Sequence, residues 1–218
     1  MSAPPIPLRE QQLKLREDAI LAATNTLLAE KGYDAMTIDE VAARIGIAKT
    51  SLYRHFSSKE ALAAAAMVRL LERAQQVIDA QPAAASPREK LGAVLRWALG
   101  EQLAGRMPKL PSTSPALRDA LMQHGEYVSR LLRVSEALGA WIEQAQARGE
   151  LAPELPVEVV LYTLYARTCD PVTEYLKASG NYDDERIVEL MLTVTFEGLA
   201  ARGAKRASAA RTAGNAAR

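Results

Sequence analysis

The stretch from Thr37 to Phe56 constrains this chain more than any other. Thr37 and Glu40 stand three residues apart, the spacing at which a threonine and a glutamate each satisfy a free backbone amide at a helix start. Ile38, Val41, Ala42 and Ile45 follow at i, i+3, i+4 and i+7, so all four share one helical face. That helix stops at Gly46 after about two turns, because glycine takes the left-handed conformation that ends a helix without steric penalty. A second short helix follows near Lys49 to Phe56, with Leu52 and Phe56 one turn apart on its inner side. Two short helices joined through a glycine, with their apolar faces turned inward, make a helix-turn-helix.

The remaining signals are helical as well. A helix spans about Gln12 to Glu30, with Ile20, Ala23 and Leu27 on one face and Gly32 past its end. Ser57 and Glu60 form a second capping box and open a long helix carrying Leu62, Met67, Leu70, Leu71, Ala74 and Ile78. Ser86-Pro87-Arg88-Glu89 joins a capping serine, a proline at the first helical position and a capping glutamate, starting a helix to about Gly105. Ser114-Pro115 repeats the serine-proline start, and a helix or broken pair of helices then reaches Gly149. Another helix runs from Val157 to about Cys169, where Pro171 ends or kinks it, and the last spans about Asp183 to Ala201. No segment alternates apolar and polar residues between turns, so an all-α chain of about nine helices is expected.

Composition narrows the function. At 49% apolar and 24% charged residues the chain has enough apolar surface to bury a core. Cys169 is the single cysteine and His55 and His124 are the only histidines, so no disulfide framework, metal site or cofactor is expected. Met1 to Leu15 lacks the apolar core of a signal peptide and there is no apolar run of membrane-spanning length, so a cytoplasmic protein without membrane contact is expected. The net charge of +1 conceals unlike parts. Residues 1–60 carry 8 basic and 8 acidic side chains, residues 61–197 carry 14 and 18, and residues 198–218 carry 5 and none. Within the first part the acids stop at Glu40 and resume at Glu60, while Arg44, Lys49, Arg54 and Lys59 fall between them beside His55. No large apolar residue follows Leu199, so residues 202–218 are expected to form a disordered basic tail.

The second short helix turns a distinctive face outward. With Leu52 and Phe56 in the core, helical geometry puts Lys49 with Tyr53 and Thr50 with Arg54 on the solvent side, flanked by Ser51 and His55. Lysine donates to guanine acceptors or phosphate, serine and threonine bond either strand, and a tyrosine hydroxyl suits phosphate. Thr37 and Lys59, at helix starts on either side, add a hydroxyl and a charge aimed at phosphates.

Thr37-Ile38-Asp39-Glu40-Val41-Ala42, Ile45-Gly46-Ile47, Thr50-Ser51-Leu52-Tyr53-Arg54-His55-Phe56 and Ser58-Lys59-Glu60-Ala61-Leu62 resemble the TetR/AcrR family of transcriptional regulators, closely over about residues 13–65. The resemblance implies a three-helix DNA-binding domain over 1–60, a larger helical effector-binding and dimerisation domain over 61–201, and a homodimer on palindromic double-stranded operator DNA. It also implies that Thr37, Lys49, Thr50, Ser51, Tyr53, His55 and Lys59 approach DNA; Arg54 stands at a position whose chemistry varies among members. The C-terminal part resembles the family only loosely, so its ligand is not inherited.

The last helix is apolar on two faces, Ile187, Met191, Val194 and Val188, Leu192, Thr195, Leu199. One face serves the chain's own core and the other meets a second copy. A dimer through the final two helices is expected, with Val160, Leu164, Val188, Met191, Leu192, Thr195 and Leu199 at the interface. For a small apolar or amphipathic effector, Trp97 beside Ala93, Gly100 and Ala104 suggests a pocket wall, completed by Met67, Leu71, Met107, Tyr127, Leu131, Leu138 and Trp141. Core packing accounts for the same residues equally well. Arg130, Arg133 and Arg167 fall in apolar stretches and serve either an anionic ligand or a salt bridge with a neighbour such as Glu126.

No nucleotide-binding glycine loop, nucleophile elbow or zinc-protease motif occurs, so the chain is not expected to be an enzyme. The expected function is a ligand-released repressor. The alternative is a DNA-binding activator or architectural regulator whose C-terminal domain only dimerises.

Overall fold

The computed structural model describes residues 7–108 and 114–198, apart from the side chain of Arg9. Among the described residues all regular structure is helical, in ten segments. They are α1 (Leu8–Ala35), α2 (Ile38–Ile45), α3 (Lys49–Leu52), α4 (Lys59–Asp79), α5 (Pro87–Leu103), α6 (Pro115–Gln123), α7 (Gly125–Ala147), α8 (Val157–Arg167), α9 (Val172–Ala178) and α10 (Asp184–Glu197). The segment beyond the sequence reading is α9, one short helix that starts directly after Pro171. The basic tail at 202–218 lies outside the described residues.

Local chemistry explains most boundaries. Thr37 Oγ1 accepts from the Glu40 amide at 3.3 Å, while the Glu40 carboxylate accepts from the Thr37 amide at 3.0 Å. The same reciprocal cap joins Ser86 and Glu89 at the start of α5. Gly46 closes α2 at φ 70°, and Gly32 breaks α1 one turn before its end at φ 76°. The third helix is shorter than its apolar spacing suggests. Beyond Leu52 the amides of Arg54 and His55 bond carbonyls three residues back rather than four, so the chain tightens into turns. α6 and α7 are a broken pair, interrupted at His124, whose Nδ1 accepts from the Tyr127 amide at 3.3 Å and caps α7.

Two apolar clusters form the interior. The first gathers Ile20 and Leu28 of α1, Val41 of α2, Leu52 of α3 and Leu62 of α4, and extends to Leu117, Leu121 and Tyr127. The second holds Leu91, Leu95 and Leu99 of α5, Val134, Leu138 and Ile142 of α7, and Ile187 of α10. α4 enters both, giving Leu62 to Leu70 to the first and Ala74 and Ile78 to the second. One carboxylate is buried beside it. Glu101 on α5, 6% exposed, accepts two bonds from Arg106 at 3.1 and 2.8 Å and pairs with Arg73 of α4 at 2.6 Å. Burial pushes the Glu101 carboxyl up, but the two guanidinium groups outweigh it and hold the group below the usual carboxylate range.

Gly46 has open space where a Cβ would stand, so Gly46→Ala strains only the backbone. It should cost about 1–2 kcal/mol in urea unfolding, with an unchanged slope. Glu101→Gln removes the charge between two arginines and should cost about 2 kcal/mol at neutral pH. Because the folded-state value is lowered, that difference is full above the ordinary carboxylate range and should shrink as the pH falls through the lowered value, in melts compared at neutral pH and near pH 3.

Candidate nucleic-acid interface and internal cavity

Burying Leu52 fixes how α3 sits and thereby what it shows to solvent. Thr37, Lys49, Thr50, Tyr53 and Arg54 are exposed, and Ser51 and Lys59 are half-buried. Lys49 Nζ lies 2.8 Å from the Asp39 carboxylate, which raises the lysine's pKa and keeps it charged. Arg44 forks onto Glu30 at 3.0 and 2.9 Å. Lys59 Nζ stands 4.3 Å from the centre of the Tyr33 ring. Lys31 sits 2.5 Å from Glu40, and with Thr37 it holds that carboxyl down at about 2. Arg54 has no side-chain ion pair among the described residues. These pairs are exposed, and exposed pairs contribute little to stability.

His55 corrects the sequence reading. Its side chain is 8% exposed and its Nδ1 lies 3.4 Å from Glu17 on α1, so the ring points into the domain rather than outward. The tightened turn after Leu52 swings residue 55 off the outer face that an extended α3 would give it.

Behind this unit lies a cavity of about 620 Å³ walled by α4, α5, α7 and α8. Met67, Leu71, Trp97, Met107, Tyr127, Leu131 and Leu138 all line it. Trp141 does not: it packs against the second core with Lys90 Nζ 5.7 Å from its ring, one turn of α7 beyond the wall. Ser135, Leu161, Tyr162 and Tyr165 line the cavity without having been singled out from sequence, and Cys169, noted there only as the single cysteine, lines it too. Ser135 carried a signal, as a polar residue inside the apolar stripe Leu131, Val134, Leu138. Tyr127 and Tyr165 are both raised above the ordinary tyrosine value by burial, so both keep their protons. Two of the three arginines expected near a ligand pair with acids, Arg130 with Glu72 at 2.8 Å and Glu126 at 2.9 Å and Arg167 with Asp170, while Arg133 is exposed.

The proposed dimer residues divide. Leu164, Val188 and Met191 are 7%, 6% and 4% exposed within their own chain, and Leu164 is part of the cavity wall. Side chains already enclosed cannot meet a second copy, so these three are removed from the interface. Val160 and Leu192 are half-buried against the second core, and Thr195 returns its hydroxyl to the Met191 carbonyl at 2.7 Å. Leu199 lies outside the described residues. The apolar groups left facing outward on α8 are Val159 and Tyr162, with Leu190 and Val194 half-buried on α10. The segment VEVVLYTLYAR is apolar on all sides, so its period gives no preferred inner face.

Comparison with known proteins agrees with this arrangement. The family described as "Bacterial regulatory proteins, tetR family" matches residues 20–66, the span from α1 through the start of α4. The chain is 28% identical over 192 residues to the HTH-type transcriptional repressor KstR2 of Mycolicibacterium smegmatis, covering 84% of this chain and 90% of that protein. Over 46 residues it is 46% identical to IcaR, the HTH-type negative transcriptional regulator of the biofilm operon icaADBC of Staphylococcus aureus, covering 21% of this chain and 25% of that one. Its fold matches that of the transcriptional regulator FadR of Bacillus subtilis, solved in complex with stearoyl-CoA, with a TM-score of 0.58, 21% identity, and coverage of 84% and 99%. Among the described residues no helix is long and apolar enough to cross a membrane. The capped helix-turn-helix over residues 20–66 matches the tetR family of bacterial regulatory proteins, and the helical domain behind it, with its own cavity, has the fold of solved regulators.

Proposed function

We propose that the protein is a repressor that binds a palindromic operator as a homodimer and is released from it by a small apolar or amphipathic effector. The observation that carries this reading is the course of α4. The helix starts at Lys59, directly after the turns that follow α3, and its later turns supply Met67, Leu71 and Ala74 to the cavity wall. A ligand that shifts α4 therefore shifts the outward face of α3. If the two arrangements bind effector and DNA differently, each ligand weakens the other by the same factor, on the order of 1–3 kcal/mol. KstR2 and IcaR are named as repressors, which supports the sign of regulation. The acyl-CoA bound by the Bacillus subtilis regulator of like fold supports an apolar effector.

In this reading Thr37, Lys49, Thr50, Ser51, Tyr53, Arg54 and Lys59 approach DNA, while His55 braces α3 against α1. The dimer forms through the outer faces of α8 and α10, around Val159, Tyr162, Leu190 and Val194.

Selection of bound sequences from a random DNA pool should return a palindrome. On that sequence Lys49→Ala and Tyr53→Ala should each weaken binding at least about fivefold in mobility-shift titrations, with unchanged helical circular dichroism. A non-palindromic consensus, or full affinity in both variants, would remove this reading of α3. Light scattering should give a dimer, and Tyr162→Glu should shift it to monomer; a dimer that survives this change has its interface elsewhere.

A further inference from the structure

The cavity wall specifies the part of a ligand that it can enclose, and this argument rests on the cavity being the effector site. Among the described residues, none that lines it carries a formal charge. Three arginines on the helices that wall it are paired with acids: Arg73 stacks 5.8 Å from Trp97 while pairing with Glu101, Arg130 pairs with Glu72 and Glu126, and Arg167 pairs with Asp170. A carboxylate or phosphate seated inside would lose its water and gain no cation, which is unfavourable. The enclosed part of the ligand is therefore neutral.

The wall also holds a hydroxyl pair. Ser135 Oγ on α7 and Tyr165 OH on α8 lie 2.8 Å apart, and both residues line the cavity. Two hydroxyls hold two protons and share one between them, so one O–H remains to donate. Thr168 gives its hydroxyl to the Tyr165 carbonyl at 2.8 Å. Leu132 and Tyr162 belong to the wall yet are 55% and 67% exposed, so the cavity opens between α7 and α8, close to the hydroxyl pair.

We propose that the cavity takes an uncharged apolar chain or ring system bearing a carbonyl or hydroxyl oxygen, and that this oxygen accepts the spare O–H of the Ser135–Tyr165 pair. A charged group on the same molecule stays outside, beyond Leu132 on the α7 side of the opening, clear of the outer face of α8 that the proposed dimer covers. The pair thereby selects among apolar molecules of similar size by whether an oxygen falls opposite it.

Trp97 lines the cavity and Trp141 does not, so in a Trp141→Phe background Trp97 fluorescence reports occupancy. Methyl decyl ketone, dodecane and laurate are titrated separately at neutral pH. The ketone should bind tighter than dodecane, which has no oxygen, and tighter than laurate, whose carboxylate stays outside and leaves the hydroxyl pair unengaged. The double variant Ser135→Ala/Tyr165→Phe should weaken the ketone roughly three- to tenfold and leave dodecane unchanged. Tyr165→Phe alone, which keeps the wall's shape, should weaken it less, because Ser135 then turns its own proton to the ligand. Undiminished ketone binding in the double variant, or laurate binding tighter than the ketone, overturns the inference and leaves the cavity a ligand site. No Trp97 response to any of the three overturns the inference together with the effector reading.

Discussion

The structure depends on a single helix having to satisfy two interiors. α4 runs from Lys59 to Asp79, and its buried residues divide along its length between two apolar clusters. Close-packed interiors transmit displacement rather than absorb it, because a side chain that moves by a fraction of its own width loses contact on one side and clashes on the other. A helix that belongs to two such interiors cannot move within one without moving in the other. The clusters are therefore coupled by packing alone. The pairing of Arg73 with buried Glu101 adds an electrostatic tie between α4 and α5 at the cavity's edge.

What the sequence disclosed follows the range of the forces involved. The helix-turn-helix was legible because its determinants are local: a threonine and a glutamate three apart, a glycine at φ 70°, and apolar residues at helical spacing. The serine-proline starts of α5 and α6 were legible for the same reason. The inner faces of α8 and α10 were not. When a helix is apolar on more than one side, only its neighbours decide which side turns inward, and Leu164, Val188 and Met191 went to the chain's own core. His55 failed differently. Its place on an outer face presumed a helix continuing past Leu52, and the shift to three-residue hydrogen bonds rotated it inward.

The charge pattern gained meaning in three dimensions. Along the sequence, Arg44, Lys49, Arg54 and Lys59 form a basic strip between acids; in space two of them reach back to carboxylates of α1 and α2. Such pairs hold long side chains near defined positions at small energetic cost, and they lower the net field that would otherwise attract any polyanion. Selectivity for one arrangement of phosphates over another then rests on geometry rather than on bulk attraction.

The alanines of α4 have a consequence of a different kind. Ala63, Ala64 and Ala66 are 0%, 2% and 0% exposed in the first cluster, where α4 packs against α1. The separation of two packed helices is set by the size of the side chains between them. Here three buried methyl groups stand on α4 in the cluster it shares with α1, so the packing of the helix-turn-helix depends on some of the smallest side chains available. Drift to valine at this seam would act as a wedge. In the proposed dimer it would alter the span between two outward helices while leaving every residue of the outer face and of the cavity wall as it is. The spacing of an operator's halves would then be inherited through a packing distance, separately from the letters those halves contain.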